Sequence, residues 1–160
     1  HDTITSMEAI DNRAPQTSLG MSAFYLDAGF TPLFPFGFGL SYSRFEYRDL
    51  SLSAATLLPS DEIKVQVILQ NTGPCAAEEI VQLYIRDLVA SVTRPVKELK
   101  GFQKHYLQPG ASVRVEFSLS RSDLMFCNRH MEWVTEPGDF RVWVGGSSAT
   151  EMSADFRLEA

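Results

Sequence analysis

The sequence contains little cysteine, no excess of positive charge and no long apolar run. Cys75 and Cys127 are its only cysteines, which is too few for a disulfide framework, and their separation is not that of a metal site. We expect free thiols, with a disulfide between them left open. The formal net charge of -6 disfavours nucleic acid and anionic membrane as partners, because both attract surplus lysine and arginine. No apolar run approaches the roughly 20 residues of a membrane span.

The start of the chain lacks the basic residues and the apolar centre of a signal peptide. It begins at His1 rather than at a methionine, so we expect a piece of a longer polypeptide, and its compartment is left open. Residues 1–31 show neither a helical nor a strand period. Irregular leaders of this length usually lie across another surface, and we therefore predict a connecting arm.

The sequence also lacks the residue arrangements that a catalytic site would need. The adjacent acids are Asp61 with Glu62 and Glu78 with Glu79. Neighbours in an extended strand point to opposite faces, so neither pair forms the facing carboxylates of a glycosidase. No G-x-S-x-G elbow provides a nucleophile. We predict no catalytic residue in this chain.

Histidines and glycines do not indicate a metal or a cofactor either. His105 and His130 lie far apart without further ligands at metal spacing. The stretch "VWVGGSS" has no lysine and no following helix, unlike a phosphate-binding loop. We expect no metal and no cofactor. Positive charge does collect in one region, which we interpret as a solvated surface: Arg86, Arg94, Lys97, Lys100 and Lys104.

Short strands with alternating apolar and polar residues are abundant from residue 43 onward. In "EIKVQVILQ" the apolar face is formed by Ile63, Val65, Val67 and Leu69. A change of phase after Tyr47 predicts a β-bulge. About eight such strands, separated by turns such as "QNTGP", "QPG" and "EPG", predict an all-β fold, an antiparallel β-sandwich. The stretch "SRSDLMF" predicts no more than one capped helical turn.

Three aromatic residues could contact sugar rings. Trp143 and Tyr84 alternate out of phase with the apolar faces of their strands, and Trp133 lies in a short strand. The other interpretation is partial burial under a loop or against a neighbouring domain. Trp143 is the first candidate to test.

Four stretches resemble, in order and spacing, the C-terminal fibronectin type III-like domain of family 3 glycoside hydrolases, which include β-glucosidases. They are "PLFPFGFGLSYSRFEY", "EEIVQLYIRD", "RPVKELKGFQKHYLQPGASVRVEFSLS" and "WVTEPGDFRVWVGGSS". The resemblance runs from about Pro32 to the end of the chain. It implies a fibronectin type III or immunoglobulin-like sandwich over residues 43–160, joined by an irregular arm over residues 1–42 to a missing catalytic domain.

The resemblance also implies that the catalytic residues lie in a different part of the enzyme from the sandwich. In such enzymes an aspartate nucleophile, usually within Ser-Asp-Trp, and a glutamate acid/base lie in the domains that precede the sandwich. Ser60-Asp61-Glu62 and Ser122-Asp123-Leu124 do not match that motif. The chain is therefore expected to be non-catalytic alone and to belong to a retaining, exo-acting β-glycosidase that hydrolyses terminal non-reducing β-linked sugars. Its partners would be the N-terminal catalytic domains and, for the whole enzyme, an oligosaccharide or glycoside; a homo-oligomer is left open.

The aromatic stretch "PLFPFGFGLSY" lies where the arm meets the sandwich. Two prolines stiffen it and two glycines permit turns that other residues disfavour. We expect its aromatic side chains to dock the sandwich on a preceding domain, with the residues Phe34, Phe36, Phe38 and Tyr42. The alternative function is a carbohydrate-binding module that uses Trp143, Trp133 and Tyr84. A secreted or periplasmic location would fit the family, and a cytoplasmic one is left open.

Overall fold

A computed structural model of the chain describes residues 32–159. The chain divides into two compact units, His1–Phe34 and Pro35–Ala160, and the second unit contains the sheets. The arm predicted over residues 1–31 lies outside the described residues. The strands found between residues 32 and 159 are β1 (Phe45–Leu52), β2 (Thr56–Leu57), β3 (Glu62–Asn71), β4 (Ala77–Asp87), β5 (Glu98–Leu107), β6 (Ser112–Ser120), β7 (Phe126–Cys127), β8 (Trp133–Val134), β9 (Gly138–Gly145) and β10 (Ser153–Leu158).

The strands form two main sheets and a small hairpin. One sheet has the order β1-β3-β6, the other β2-β10-β9-β4-β5, and β7 pairs with β8. All pairings are antiparallel except the short parallel pairing of β2 with β10. Side chains from both main sheets contribute to a single apolar core. The predicted all-β sandwich is confirmed.

Strand β3 shows how alternation in the sequence becomes burial. Its apolar face is buried, with Ile63, Val65 and Leu69 fully inaccessible and Val67 nearly so. On β4, Val81, Leu83 and Ile85 occupy the same core. Because successive side chains of a strand point to opposite faces, the period of two assigns these residues to the inside.

The bulge predicted near the start of the sandwich is present in β1. The pairing of β1 with β3 shifts register between Arg48 and Ser51. Asp49 has a φ of 58°, in the left-handed region that aspartate tolerates better than most residues. The extra residue returns Leu50 and Leu52 to contact with the core.

A single helical turn follows β6. A 3-10 helix spans Arg121–Leu124 and its N-cap is Ser120. The Ser120 N–H donates to Asp123 Oδ2 at 2.7 Å, as in a capping box. In the part of the chain that the structure describes, no helix has the length and apolarity needed to cross a membrane.

Candidate functional site

The aromatic stretch, residues 32–42, is held against the large sheet by its backbone. The Phe36 carbonyl accepts a hydrogen bond from the Ser148 N–H at 2.8 Å, and the Gly37 carbonyl accepts one from Gln82 Nε2 at 3.3 Å. A turn closed by Phe38 N–H to the Pro35 carbonyl, at 3.0 Å, brings these groups into place. Gly37 has a φ of +77°, and a Cβ there would lie 2.1 Å from Gln82 Oε1. Only glycine fits this approach.

A buried asparagine fixes the chain just after the aromatic stretch. Asn71, at the end of β3, accepts a hydrogen bond from Ser43 Oγ at 2.6 Å and donates to the carbonyls of Cys75 and Leu107, both at 2.9 Å. A Cβ at Gly73 would lie 2.2 Å from Ser43 Oγ. The stretch is thus anchored at Phe36 and Gly37 and, just beyond its last residue, at Ser43.

The apolar side chains of the aromatic stretch remain exposed although its backbone is anchored. Phe36 is 67% exposed, Phe38 46% and Tyr42 97%, and Phe34 is also exposed. Leu33 and Leu40 add to the same exposed segment. Contiguous apolar surface of this kind usually marks an interaction site. These residues precede β1, which begins at Phe45; their docking role stays a prediction.

Tyr84, a candidate for sugar contact, is buried in the structure. It points away from the core, as its phase in β4 predicts, yet it is only 2% exposed. Its hydroxyl donates to Gln82 Oε1, and Gln82 Nε2 also donates to the Gly146 carbonyl at 2.6 Å. Burial raises the pKa of the Tyr84 hydroxyl. The outer face of β4 is therefore covered at Tyr84, although alternation in the sequence predicts a solvent-exposed face.

Trp143 lies next to Tyr84 across the β4–β9 pairing and is half-buried. The Lys97 ammonium lies 4.9 Å from the centroid of its ring, a cation–π contact. Lys97 Nζ also donates to the Ser148 and Thr150 carbonyls, at 2.8 and 2.6 Å. Burial lowers the pKa of this ammonium. Lys97 therefore covers one face of the Trp143 ring.

Trp133 lies apart from the other two candidates. It is in β8, which pairs only with β7 among the described strands, opposite Cys127. It is 68% exposed. The three aromatic residues proposed for sugar contact are thus distributed over two separate sheets, and Trp133 is the one whose ring is mostly open.

The cluster of basic residues is less solvated than the sequence suggested. The Arg94 side chain is only 10% exposed; it pairs with Glu98 at 2.8 Å and lies over the Phe126 ring at 4.8 Å. Lys100 pairs with the other oxygen of Glu98. These contacts attach the β4–β5 loop to the start of β5. Our interpretation of the cluster as an ordinary solvated surface is wrong for Arg94, Lys97 and Lys100, because each is partly buried and bonded to nearby groups.

A cleft of about 560 Å³ opens beside the aromatic stretch. One wall is formed by residues 37–41, another by residues 145–147, and the floor by Tyr47, Glu79 and Ile80. The Tyr47 hydroxyl, from the three-stranded sheet, donates to Glu79 Oε1, from the five-stranded sheet, at 2.6 Å. A Cβ at Gly146 would lie 2.5 Å from Glu79 Oε1. Glycine at this position keeps the wall close to the carboxylate.

Burial shapes the electrostatics of the cleft. It raises the pKa of the Glu79 carboxyl, and the hydrogen bond from Tyr47 offsets part of that rise. Burial and the neighbouring carboxylate together raise the pKa of the Tyr47 hydroxyl. Sequence reasoning considered Glu79 only as a neighbour of Glu78. It missed the Tyr47–Glu79 pair, because the partners are separated by 32 residues and no local pattern relates them.

The groups at this site are suited to binding. Glu79 and Tyr47 are a carboxylate and a phenol joined to each other, and the second carboxylate, Glu78, is neutralised by Lys104 at 2.6 Å. Across residues 32–159, no three histidine, cysteine, aspartate or glutamate side chains are arranged to hold a metal ion. Both cysteines are free and half-buried. The cleft can accept hydrogen-bond donors, positive charge and apolar groups.

Comparison with known proteins found similarity to one domain model and to several enzymes. Residues 79–148 match the sequence model of the fibronectin type III-like domain. The thermostable β-glucosidase B of Acetivibrio thermocellus is 44% identical over 126 residues, 78% of this chain. A β-xylosidase of Formosa agariphila is 43% identical over 121 residues, 76% of this chain. This chain spans only 17% of the length of either relative.

The fold is also present in solved enzyme structures. The crystal structure of a β-glucosidase from Listeria innocua in complex with glucose superimposes with a TM-score of 0.80 at 37% sequence identity. The superposition covers 94% of this chain and 21% of that one. The likeness therefore extends over nearly all of this chain and about a fifth of the larger protein.

Proposed function

From the premise that this chain carries a fibronectin type III-like domain, we propose that it is the C-terminal structural domain of a retaining, exo-acting β-glycosidase resembling β-glucosidases. The whole enzyme hydrolyses terminal non-reducing β-linked sugars of an oligosaccharide or glycoside. Its aspartate nucleophile and glutamate acid/base belong to an N-terminal portion outside this chain. The chain alone is non-catalytic.

One observation carries this proposal. The similarity covers 78% of this chain but 17% of the length of the Acetivibrio β-glucosidase. The matched part corresponds to the sandwich, and most of the relative's length has no counterpart within these 160 residues. The sandwich itself supports the same conclusion, since its cleft holds a phenol–carboxylate pair suited to binding rather than a nucleophile with an adjacent base.

The aromatic stretch supplies the docking surface in this proposal. Residues 1–42 connect the catalytic portion to the sandwich of residues 43–160, and Phe34, Phe36, Phe38 and Tyr42 pack against that portion. Their exposure and the anchored backbone beneath them support this role. Docking would remove apolar surface from water at about 25 cal/mol for each Å². Self-association into a homo-oligomer is a further use of the same surface that the proposal leaves open.

A chimeric enzyme tests the proposal. The 126-residue stretch of the Acetivibrio β-glucosidase is replaced by the matching part of this chain, and hydrolysis of nitrophenyl glucoside is measured. We expect activity in the chimera, and none in the 160-residue chain alone or in the enzyme that lacks the stretch. Turnover by the isolated chain, or an inactive but folded chimera, would contradict the proposal.

Trp133 supports a second candidate function, a carbohydrate-binding module. Its largely exposed ring could stack on a sugar, whereas the other two predicted contacts, Trp143 and Tyr84, are half-buried and buried. Affinity electrophoresis in gels that contain soluble glucans tests this function. Retardation of the wild-type chain, lost in Trp133→Ala and kept in Trp143→Ala, is expected if this function is real. Equal mobility with and without glucan removes it.

A further inference from the structure

The cleft exists because one strand ends early. Strand β9 pairs with β4 only from Gln82 onward, where Gly145 lies opposite. The earlier residues of β4, including Glu79, pair with β5 on one side only. The cleft occupies the other side, between the aromatic stretch and residues 145–147. A segment of another domain can therefore reach Glu79 without disturbing either sheet.

Glu79 is a carboxylate of this cleft that has no cationic partner within residues 32–159. Within residues 32–159 its hydrogen-bond partner is the neutral Tyr47 hydroxyl, and no lysine, arginine or histidine there forms an ion pair with it. Its neighbour Glu78 does have such a partner, Lys104. The carboxylate has more than one acceptor position, and Tyr47 fills one of them.

Covering this carboxylate without a cation would be costly. Removing an ionised group from water costs several kcal/mol unless a counter-charge or hydrogen-bond donors replace the lost water. A surface that docks through the aromatic stretch also covers the adjoining cleft, because Phe38 and Leu40 belong to both. The docked surface must therefore bring a counter-charge or hydrogen-bond donors to Glu79, and an arginine or lysine side chain supplies both. The apolar walls, Phe38, Leu40 and Ile80, suit the aliphatic stem of a long basic side chain.

We propose that the cleft receives an arginine or lysine side chain from the catalytic portion of the enzyme, which pairs with Glu79. This inference rests on the proposed function, since the occupant belongs to a segment outside this chain. The relatives extend far beyond the matched part, which is 17% of their length, so such a segment is available. The ion pair sets the register of docking, while the aromatic stretch supplies apolar burial.

Peptide binding to the full 160-residue chain tests the inference without the catalytic portion. The probes are acetyl-Leu-Arg-Leu-amide and its uncharged match, acetyl-Leu-Gln-Leu-amide. Chemical shifts of the Gly39, Gly145 and Gly146 amides are followed by NMR in the wild type, in Glu79→Gln and in the control Glu46→Gln. Glu46 is exposed on β1, so its substitution removes the same charge outside the cleft.

The expected result is saturable binding of the arginine peptide, about tenfold tighter than that of the glutamine peptide, as for one charge-assisted hydrogen bond of roughly 1.5 kcal/mol. Glu79→Gln abolishes this preference and Glu46→Gln retains it. Equal binding of the two peptides, no binding of either, or a preference that survives Glu79→Gln overturns the inference. Those outcomes leave the proposed function standing, because activity of the chimera is measured separately and would still support it.

Discussion

At the scale of single residues, Glu79 shows how burial without a counter-charge changes a titration. The pKa of its carboxyl is raised in the folded chain because burial penalises the charged form. The folded state then binds more protons than the unfolded state between the ordinary and the raised pKa. Stability should therefore fall as pH rises through that interval, and the loss should persist at neutral pH.

We predict that Glu79→Gln stabilises the isolated chain at pH 7 but not at pH 4. Glutamine keeps an acceptor for the Tyr47 hydroxyl and removes the charge that burial penalises. Urea unfolding at a series of pH values measures the free energy difference between variant and wild type, which should grow with pH. Glu46→Gln, an exposed carboxylate on the same sandwich, is the control. A difference that is constant with pH would contradict burial of the charge as the cause.

At the scale of elements, the turn at residues 35–38 depends on the Gln82 side chain, which lies close to the backbones of Gly37 and Gly146. Gln82 joins them: its amide donates to the carbonyls of Gly37 and Gly146 and its oxygen accepts from Tyr84. A buried amide of this kind is stabilising only while its partners stay in place. Gly37 permits this close approach, so the turn depends on glycine at that position.

We predict that Gly37→Ala releases this turn. The left-handed backbone costs a non-glycine residue about 1–2 kcal/mol, and the new Cβ would meet Gln82 at 2.1 Å. Thermal unfolding should shift to lower temperature, and amide exchange at Ser148 should accelerate because its bond to the Phe36 carbonyl opens.

Gly39→Ala is the matched control for Gly37→Ala. It lies two residues away, and a Cβ there would have no atom within 4 Å. This variant should behave as the wild type in both measurements. Equal effects from the two substitutions would show that the close approach at Gln82 is unimportant.

At the scale of the whole molecule, an anchored backbone with exposed aromatic side chains suits a docking surface. Burying a complete phenylalanine side chain at this surface would stabilise docking by about 1.5–3 kcal/mol. Phe36 is 67% exposed and contributes its backbone carbonyl, not its ring, to the bond with Ser148. Truncation of its ring should therefore spare the sandwich.

We predict that Phe36→Ala in the chimeric enzyme weakens docking by up to about tenfold, the equivalent of 1.4 kcal/mol. Activity should be lost faster on heating, whereas the unfolding temperature of the isolated 160-residue chain should change little. Trp133→Ala, which removes an equally exposed aromatic ring outside the stretch, should leave the inactivation rate unchanged. Whole-chain destabilisation by Phe36→Ala without faster inactivation would contradict the docking role.

The sequence by itself determined the sandwich. Alternation assigned Val65 and Leu83 to the core, and the change of phase after Tyr47 located the bulge, because a strand's side chains face alternate sides whatever surrounds them. It also located the aromatic stretch at the entry to the first strand. These features depend on neighbours along the chain.

Only the tertiary structure decided what covers each face. Tyr84 is outward in phase but buried, and its hydroxyl bonds to Gln82, which in turn binds the turn at residues 35–38 and the loop after β9. Lys97 reaches Trp143 from a loop distant in sequence, and Tyr47 meets Glu79 across the two sheets. Periodicity determines which way a side chain points; the contacts that bury it or pair its charge form between segments far apart in the chain, and no local pattern encodes them.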